Sequence, residues 1–375
     1  ANIFFLLFGI YFLLTAQANA LTVEYKDNRI PNKAIGCYTS QYPNIELFPD
    51  STQDPQDVIW SDDGTKVFTI NKNQDYGGQR LNLSMNKVGT PFELNTVNTI
   101  GTYNCEDYDL FNIKYADFVA QGASISGNEG RAIHISQGGK IFYIMSNSSE
   151  VHRFDLSIAF DFRTANYVHE FDFDNSSVGG FSMSKDGTKL YSMDATSDTP
   201  IIKTYSLSPA FDLTSATEIH SVNLFTDLGV TNLDGSQSYR DIEFSHDGSE
   251  MFISVFDTAA FNNRIHQFSL GKNFDVSTAT HLGSHSFLYR TTPGGALRNS
   301  HISGASTHVA GHGISWGFSF SSDGMKLFIG QLDAKSGSEI NVVDNIYQFD
   351  LQCPYGIIKC SSDTSSSIEA QFELA

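Results

Sequence analysis

Five short stretches of this chain alternate apolar and polar residues and end on serine: DVIWS at 57–61, AIHIS at 132–136, GFSMS at 180–184, DIEFS at 241–245 and GFSFS at 317–321. A period of two is the mark of a half-buried strand. Each stretch runs into a turn: SDDGTKVF, SKDGTKLY, SHDGSEMF and SSDGMKLF begin at Ser61, Ser184, Ser245 and Ser321, and a worn copy, SQGGKIFY, begins at Ser136. Two β-type runs joined by Asp-Gly predict a hairpin, because that dipeptide takes the positive φ angles of a tight turn.

A third run follows each hairpin: EVHRFDLS, IIKTYSLS, RIHQFSLG and NIYQFDLQ, with QRLNLSMN as its weaker first form. A fourth signature comes next: TPFELNTVN at 90, IAFDFRTAN at 158, PAFDLTSAT at 209 and KNFDVSTAT at 272. The unit therefore predicts four antiparallel strands. Its turn glycines stand at 64, 139, 187, 248 and 324. A recurring four-stranded unit that cannot bury both faces alone predicts an all-β fold, a β-propeller of about five blades. Six or seven blades stay open if residues 65–130 or 249–314 hide a degenerate copy. The fifth copy passes from NIYQFDLQ straight into CPYGIIKC without the FDL element. The segment KAIGCYTSQYPNIELF at 33–48 is similar to TIGTYNCEDYDLF at 99–111, so the N-terminus is expected to supply the outer strand of the last blade and close the ring.

The combination S-x-D-G-T-K-[LMV]-[FY], [QR]-[FY]-x-L-S and P-x-F-D-L-x-[ST]-A-T resembles the propeller repeats of secreted and surface proteins of marine bacteria. It is also similar to YVTN-type and TolB-like propellers. The resemblance spans roughly residues 33–352 and implies the fold; propellers host many activities, so it implies no single one. The turn echoes the Asp-box of sialidases but departs from its spacing, since Gly64 directly follows Asp63. Some propellers of this kind precede a helical stalk or an outer-membrane barrel, which implies surface display.

The remaining composition narrows the picture. Residues 1–15, ANIFFLLFGIYFLLT, are almost unbroken apolar sequence, and Ala18-Asn19-Ala20 has the small-x-small form of a signal-peptidase site, so residues 1–20 are expected to be a leader. A propeller over 21–360 and a Ser-rich linker with the start of a further segment over 361–375 complete the expected domains; a C-terminal membrane-anchoring part is expected beyond. The net charge of −19 disfavours nucleic acid and favours cations. The four cysteines, Cys37, Cys105, Cys353 and Cys360, suit disulfides in a secreted chain; Cys353–Cys360 brackets a short loop, which leaves Cys37–Cys105, and a zinc site is the alternative.

Two groups of residues are candidates for chemistry. Aligned on the turn serine, Asp57, Arg131, Arg240, Asp241 and Trp316 fall where the innermost strands begin, giving a mixed-charge axial mouth with one aromatic platform. Such a rim suits a glycan or peptide, and equally a set of rim ion pairs around a core tryptophan. His301, His308 and His312 lie in a Gly/Ser-rich loop and could hold a transition metal. His134 and Glu243 share one position, two before the turn serine, and could form an acid–base pair. The repeated turn aspartates Asp63, Asp186, Asp247 and Asp323 fit local turn bonding, with calcium as the alternative. Three Asn-x-Ser sequences, NLS at 82 and NSS at 147 and 175, fit the N-glycosylation pattern. The expected function is a secreted or surface-displayed binding or adhesion module for an extracellular glycan or protein. A propeller hydrolase or lyase and a periplasmic protein-interaction scaffold are the alternatives.

Overall fold

The computed structural model describes residues 24–25, 53–73, 81–93, 112–114, 130–146, 149–173, 178–194, 199–231, 237–257, 262–287, 312–333, 345–351 and 353–358. Twenty strands lie in these segments and form five four-stranded antiparallel sheets. The first blade is β2 (Gln53–Trp60), β3 (Lys66–Asn73), β4 (Leu81–Lys87) and β5 (Asn112–Lys114). The second is β6 (Gly130–Ile135), β7 (Ile141–Ser146), β8 (Glu150–Leu156) and β9 (Ala165–Asp172). The third is β10 (Val178–Met183), β11 (Lys189–Asp194), β12 (Ile201–Ser206) and β13 (Thr217–Asn223). The fourth is β14 (Gln237–Phe244), β15 (Glu250–Asp257), β16 (Asn262–Leu270) and β17 (Ala279–Phe287). The fifth is β18 (His312–Phe320), β19 (Lys326–Asp333) and β20 (Asn345–Asp350), completed by β1 (Glu24–Tyr25).

The first strands of the blades are the innermost. β2 lies against β6, β6 against β10, β10 against β14, β14 against β18, and β18 against β2, so the described residues form a closed five-bladed propeller. Closure is by an N-terminal strand, as expected, but a different one: Glu24 and Tyr25 pair with Asp350 and Phe349 of β20. Residues 33–48 lie outside the described residues. Lys326 adds an ionic clasp, meeting Glu93 of the first blade and Asp350 of its own, both at 2.8 Å.

The turn differs from a two-residue Asp-Gly hairpin. Four residues separate Ser61 from Lys66, and only Gly64 takes a positive φ, 66°. Ser61 Oγ accepts from Lys66 N at 3.0 Å and donates to Asp63 Oδ1 at 2.6 Å, while Asp63 also accepts from Thr65 N at 3.0 Å. Asp186, Asp247 and Asp323 make the same bonds. Slight burial pushes Asp63 up, but these hydrogen bonds outweigh it and hold the carboxyl at about 2. The recurring aspartates are turn chemistry.

The two repeated signatures turn out to be one unit. The phenylalanine of each FDL-type element donates its N–H to the turn glycine's carbonyl: Phe92 to Gly64 at 2.9 Å, and Phe160 to Gly139, Phe211 to Gly187 and Phe274 to Gly248 at 2.8 Å. Its ring then covers the glycine so closely that a Cβ at Gly187 would stand 2.5 Å from Phe211 Cδ1. In the fifth blade, where the FDL element is missing, Tyr355 of CPYGIIKC does the same, donating to Gly324 O at 2.7 Å. The CPYG loop is therefore the fifth copy of the element.

These rings also tie blade to blade. Tyr143 Oη donates to Phe211 O at 2.8 Å, and Tyr191 Oη to Phe274 O at 2.7 Å. Trp60 lies between Phe328 of the fifth blade and Phe92 of its own, with ring centroids 4.5 and 5.4 Å away. Phe244, between Tyr191 and Phe274, and Phe320, between Phe252 and Tyr355, repeat the arrangement. Most of the core is such inter-blade packing, not a single central mass.

Candidate functional site: an axial cavity

Every innermost strand carries a register shift, at Gln56, Arg131, Gly179, Arg240 and between Ser315 and Phe318. The next position forms a ring of five around the axis: Asp57, Ala132, Gly180, Asp241 and Gly317. The two glycines make room for the two aspartates. A Cβ on Gly317 would stand 2.6 Å from Asp57 Cα, and one on Gly180 would stand 2.8 Å from Asp241 Cα. Each aspartate then reaches forward to the following blade. Asp57 accepts from Val58 N at 2.7 Å and from Ile133 N at 2.9 Å; Asp241 accepts from Ile242 N at 2.9 Å and from Phe318 N at 3.3 Å. Both are 2% exposed. They are inter-blade struts inside the ring and do not stand on an open rim.

Two residues further along each strand, on the same face, stand Ile59, His134, Ser182, Glu243 and Ser319. Four of them, Ile59, His134, Glu243 and Ser319, contribute to a cavity of about 150 Å³ that sits beyond the aspartate ring, toward the hairpin turns. Rings of Trp60, Phe244 and Phe320 form part of its wall, and the exposed residues Asp62, His246 and Ser322 stand at its outer edge. The sequence places a mouth where innermost strands begin; the cavity lies toward their other end.

Electrostatically the site gathers three buried carboxyl groups, Asp57, Asp241 and Glu243. Burial pushes Asp241 up to about 7. Burial, then the charges of Asp241 and Glu243, push Asp57 well up, against the hydrogen bonds from Ile133 and Val58. Glu243 is raised well above the usual range by burial and by Asp241, against hydrogen bonds from Phe244 N and Ser182 Oγ. Burial alone depresses His134 to about 4, so its imidazole is neutral at pH 7. His134 packs on Tyr143 and Phe181, with ring centroids 6.2 and 6.4 Å away. Ser319 is 6% exposed, and its Oγ is buried without a hydrogen-bond partner. Trp60 Nε1 is in the same condition. An unsatisfied buried polar atom costs about 1–3 kcal/mol, so each of these two groups carries a cost in the wall of the cavity.

The other sequence candidates fall elsewhere. Arg131 Nη1 donates to Val178 O at 2.9 Å, and Arg240 is lowered to about 9 by burial and by the charge of Arg131. Arg240 therefore lies within the field of Arg131. Trp316 lies in β18, within the irregular part of its pairing with β19. His312 begins β18, opposite Asp333, while His301 and His308 lie outside the described residues. Among the described residues no three His, Cys, Asp or Glu side chains are placed to hold a metal ion. Cys353 is disulfide-bonded; Cys37, Cys105 and Cys360 lie outside the described residues. No described helix is long and apolar enough to cross a membrane.

Sequence alignment of the repeats singles out His134 and Glu243 by position. It does not find Ser319, which is masked by serines at the equivalent Ser182 and at the turn itself. The signal that could have found it is that Ser182 and Ser319 flank Glu243 in neighbouring blades.

No family model and no curated protein matches the chain. Solved structures similar to it include the periplasmic gluconolactonase PpgL of Pseudomonas aeruginosa, at 15% identity over 62% of this chain and 54% of that one, with a TM-score of 0.36. Sqt1 of Chaetomium thermophilum, bound to the N-terminus of ribosomal protein L10, is 10% identical over 79% of this chain and 58% of that one, at a TM-score of 0.37. The β-propeller domain of Myceliophteria thermophila Cps50 (Swd1) is 12% identical over 78% and 71%, at 0.36. The chain thus spans about half the length of the gluconolactonase structure. At these identities and scores the likenesses bear on neither activity nor partner.

Proposed function

We propose that this chain is a secreted or surface-displayed binding module whose axial cavity receives a small group presented by an extracellular glycan or protein. The observation that carries the reading is that Glu243 and Ser319, whose Oγ has no hydrogen-bond partner, line one cavity of about 150 Å³ reached from among the hairpin turns. The polar side chains are tied to the wall and not to each other: Ser182 holds Glu243, and His134 rests on Tyr143 and Phe181. That favours holding a ligand over relaying a proton. Aromatic walls with a few convergent polar atoms are the usual make-up of a small-ligand site.

The test is a glycan and peptide array probed with the full chain and with Ser319→Val, which fills the polar end of the cavity with methyl groups. Binders of the parent chain that Ser319→Val loses, with its thermal unfolding unchanged, support the reading. An array on which the folded parent binds nothing, or binds identically after the substitution, overturns it.

A further inference from the structure

The proposal concerns what the cavity selects, and it rests on the binding-module reading above. Four features of the site point the same way. Glu243 faces the cavity with Asp241 two residues away on its own strand and Asp57 behind it across the ring. The remaining titratable groups around the cavity are His134, which burial keeps neutral, the Tyr355 phenol, and Asp62 and His246 at the edge. Among the described residues, the charges that act most strongly on Asp57 and Glu243 are those of the other acids of this group. A cation entering the cavity would favour the ionised form of these acids, and an anion would oppose it.

Independently, Ser319 lines the same cavity, is more than nine-tenths buried, and keeps its Oγ without a hydrogen-bond partner. As a hydroxyl it can accept from a ligand N–H. Aromatic rings of Trp60, Phe244 and Phe320 stand in the wall, and ring faces attract cations. A bare metal ion does not fit the donors, because Asp57 and Asp241 already spend their oxygens on backbone N–H groups. The volume holds about five groups of water size, taking roughly 30 Å³ for each. A short alkyl chain ending in an ammonium group is of that size. The chain's net charge of −19 adds long-range attraction for such a ligand.

We propose that the axial cavity is a receptor for a primary alkylammonium group, with Glu243 as its counter-ion, Ser319 Oγ as an acceptor for one of its N–H bonds, and the rings of Trp60, Phe244 and Phe320 as its wall. The group could end a free amine or a lysine side chain of a partner protein, and the two sources share one chemistry. Burial and Asp241 raise the Glu243 carboxyl, and a cation beside it favours the ionised form, so binding is linked to release of the Glu243 proton.

The experiment is isothermal titration of the full chain with n-butylammonium, n-butanol and butyrate at pH 7, in two buffers of different ionisation enthalpy, and a parallel titration with a lysine-containing peptide. The expected result is that butylammonium binds at least tenfold more tightly than butanol, that butyrate does not bind, and that the heat depends on the buffer. Glu243→Gln should lose the preference for the amine over butanol and abolish the buffer dependence, which a purely structural role for Glu243 would leave intact. Tighter binding of the peptide than of butylammonium assigns the site to a protein lysine; the reverse assigns it to a free amine. Equal binding of amine and alcohol, or an unchanged preference in Glu243→Gln, overturns the proposal. If butylammonium fails while an array ligand binds and is lost in Ser319→Val, the ammonium selectivity falls and the binding module stands. If neither binds, both fall.

Discussion

The union of turn glycine and covering aromatic makes a quantitative prediction through two glycines that differ in one respect. Gly138 has φ 75° and nothing within 4 Å of where its Cβ would stand; Gly187 has φ 69° and the Phe211 ring about 2.5 Å from that point. Gly138→Ala therefore carries only the left-handed penalty, about 1 kcal/mol. Gly187→Ala carries the same penalty plus overpacking against a ring, about 1–3 kcal/mol, for a total of about 2–4. Removing the ring should cancel the second part. Phe211→Ala alone should cost about 2 kcal/mol, less than a fully buried phenylalanine because the ring is half-buried. The double variant Gly187→Ala/Phe211→Ala should then be less destabilised than the sum by about 1–3 kcal/mol. Urea unfolding followed by tryptophan fluorescence measures all four, with thermal midpoints as a check that the transition keeps its shape. If Gly187→Ala costs no more than Gly138→Ala, or the cycle is additive within about 0.5 kcal/mol, the repeated element is not held by this contact.

Three further outcomes follow from the ring. Gly317→Ala puts a Cβ 2.6 Å from Asp57 Cα at the junction of last and first blades, where backbone must move; it should cost more than about 3 kcal/mol, and a soluble variant with an unchanged unfolding midpoint would contradict the packing. Tyr191→Phe removes the 2.7 Å bond to Phe274 O, which Lys189 Nζ also satisfies at 2.7 Å, so the loss should be modest, about 1 kcal/mol; a loss above about 3 would mean the hydroxyl does more than bridge blades. Asp241 has a folded value of about 7, above its unfolded one, so its contribution is complete below about pH 4 and is lost as pH rises through 7. Asp241→Asn, which cannot ionise, should gain on the parent chain by up to about 1.4 kcal/mol per pH unit across that window, read as the difference between their unfolding free energies at pH 4.5 and 7. The comparison must be a difference, because His266, held at about 3 by burial and by the charges of His281 and Arg264, acts in the opposite sense: its contribution is complete above about 6.5 and is lost as pH falls through 3. A parent–variant difference that does not change with pH would refute a buried, proton-holding Asp241.

What could be read from the chain was whatever the blades share. The alternation before each serine, the Asp-Gly turn and the FDL element are backbone requirements of every blade, so they recur and give the fold, the strand count per blade and the aspartates' local role. Contacts between non-equivalent residues left no such trace. Nothing in CPYGIIKC resembles PAFDLTSAT, yet Tyr355 fills the place of Phe211 because the site asks only for a flat ring over a glycine and an N–H to its carbonyl. The two-residue turn was the expected reading because Asp-Gly so often makes one; here the serine hydroxyl takes over a ladder position and lengthens the loop to four. The axial mouth was misplaced for a related reason. Asp57 and Asp241 read as rim charges from sequence, but the register shifts beside them turn their carboxyls inward, onto the N–H groups of the following blade.

The same logic says where in such a chain to look for binding. At the turn, the five copies hold Ser, Gly and an aromatic ring almost without exception, because each performs one job in its own blade. At the ring position they alternate large and small, Asp57 and Asp241 against Gly317 and Gly180, because one blade's residue must fit its neighbour's. Two residues further along, the copies differ outright: Ile59, His134, Ser182, Glu243 and Ser319. Neither the turn nor the blade contact requires a histidine, a glutamate or an unpartnered serine there. Glu243 bears a cost from burial beside Asp241, and Ser319 leaves a hydroxyl unsatisfied. An apolar residue such as Ile59 would serve the fold as well without either cost. Copies of one unit that agree wherever the fold constrains them, and become polar at the one level where it does not, are carrying something other than the fold at that level.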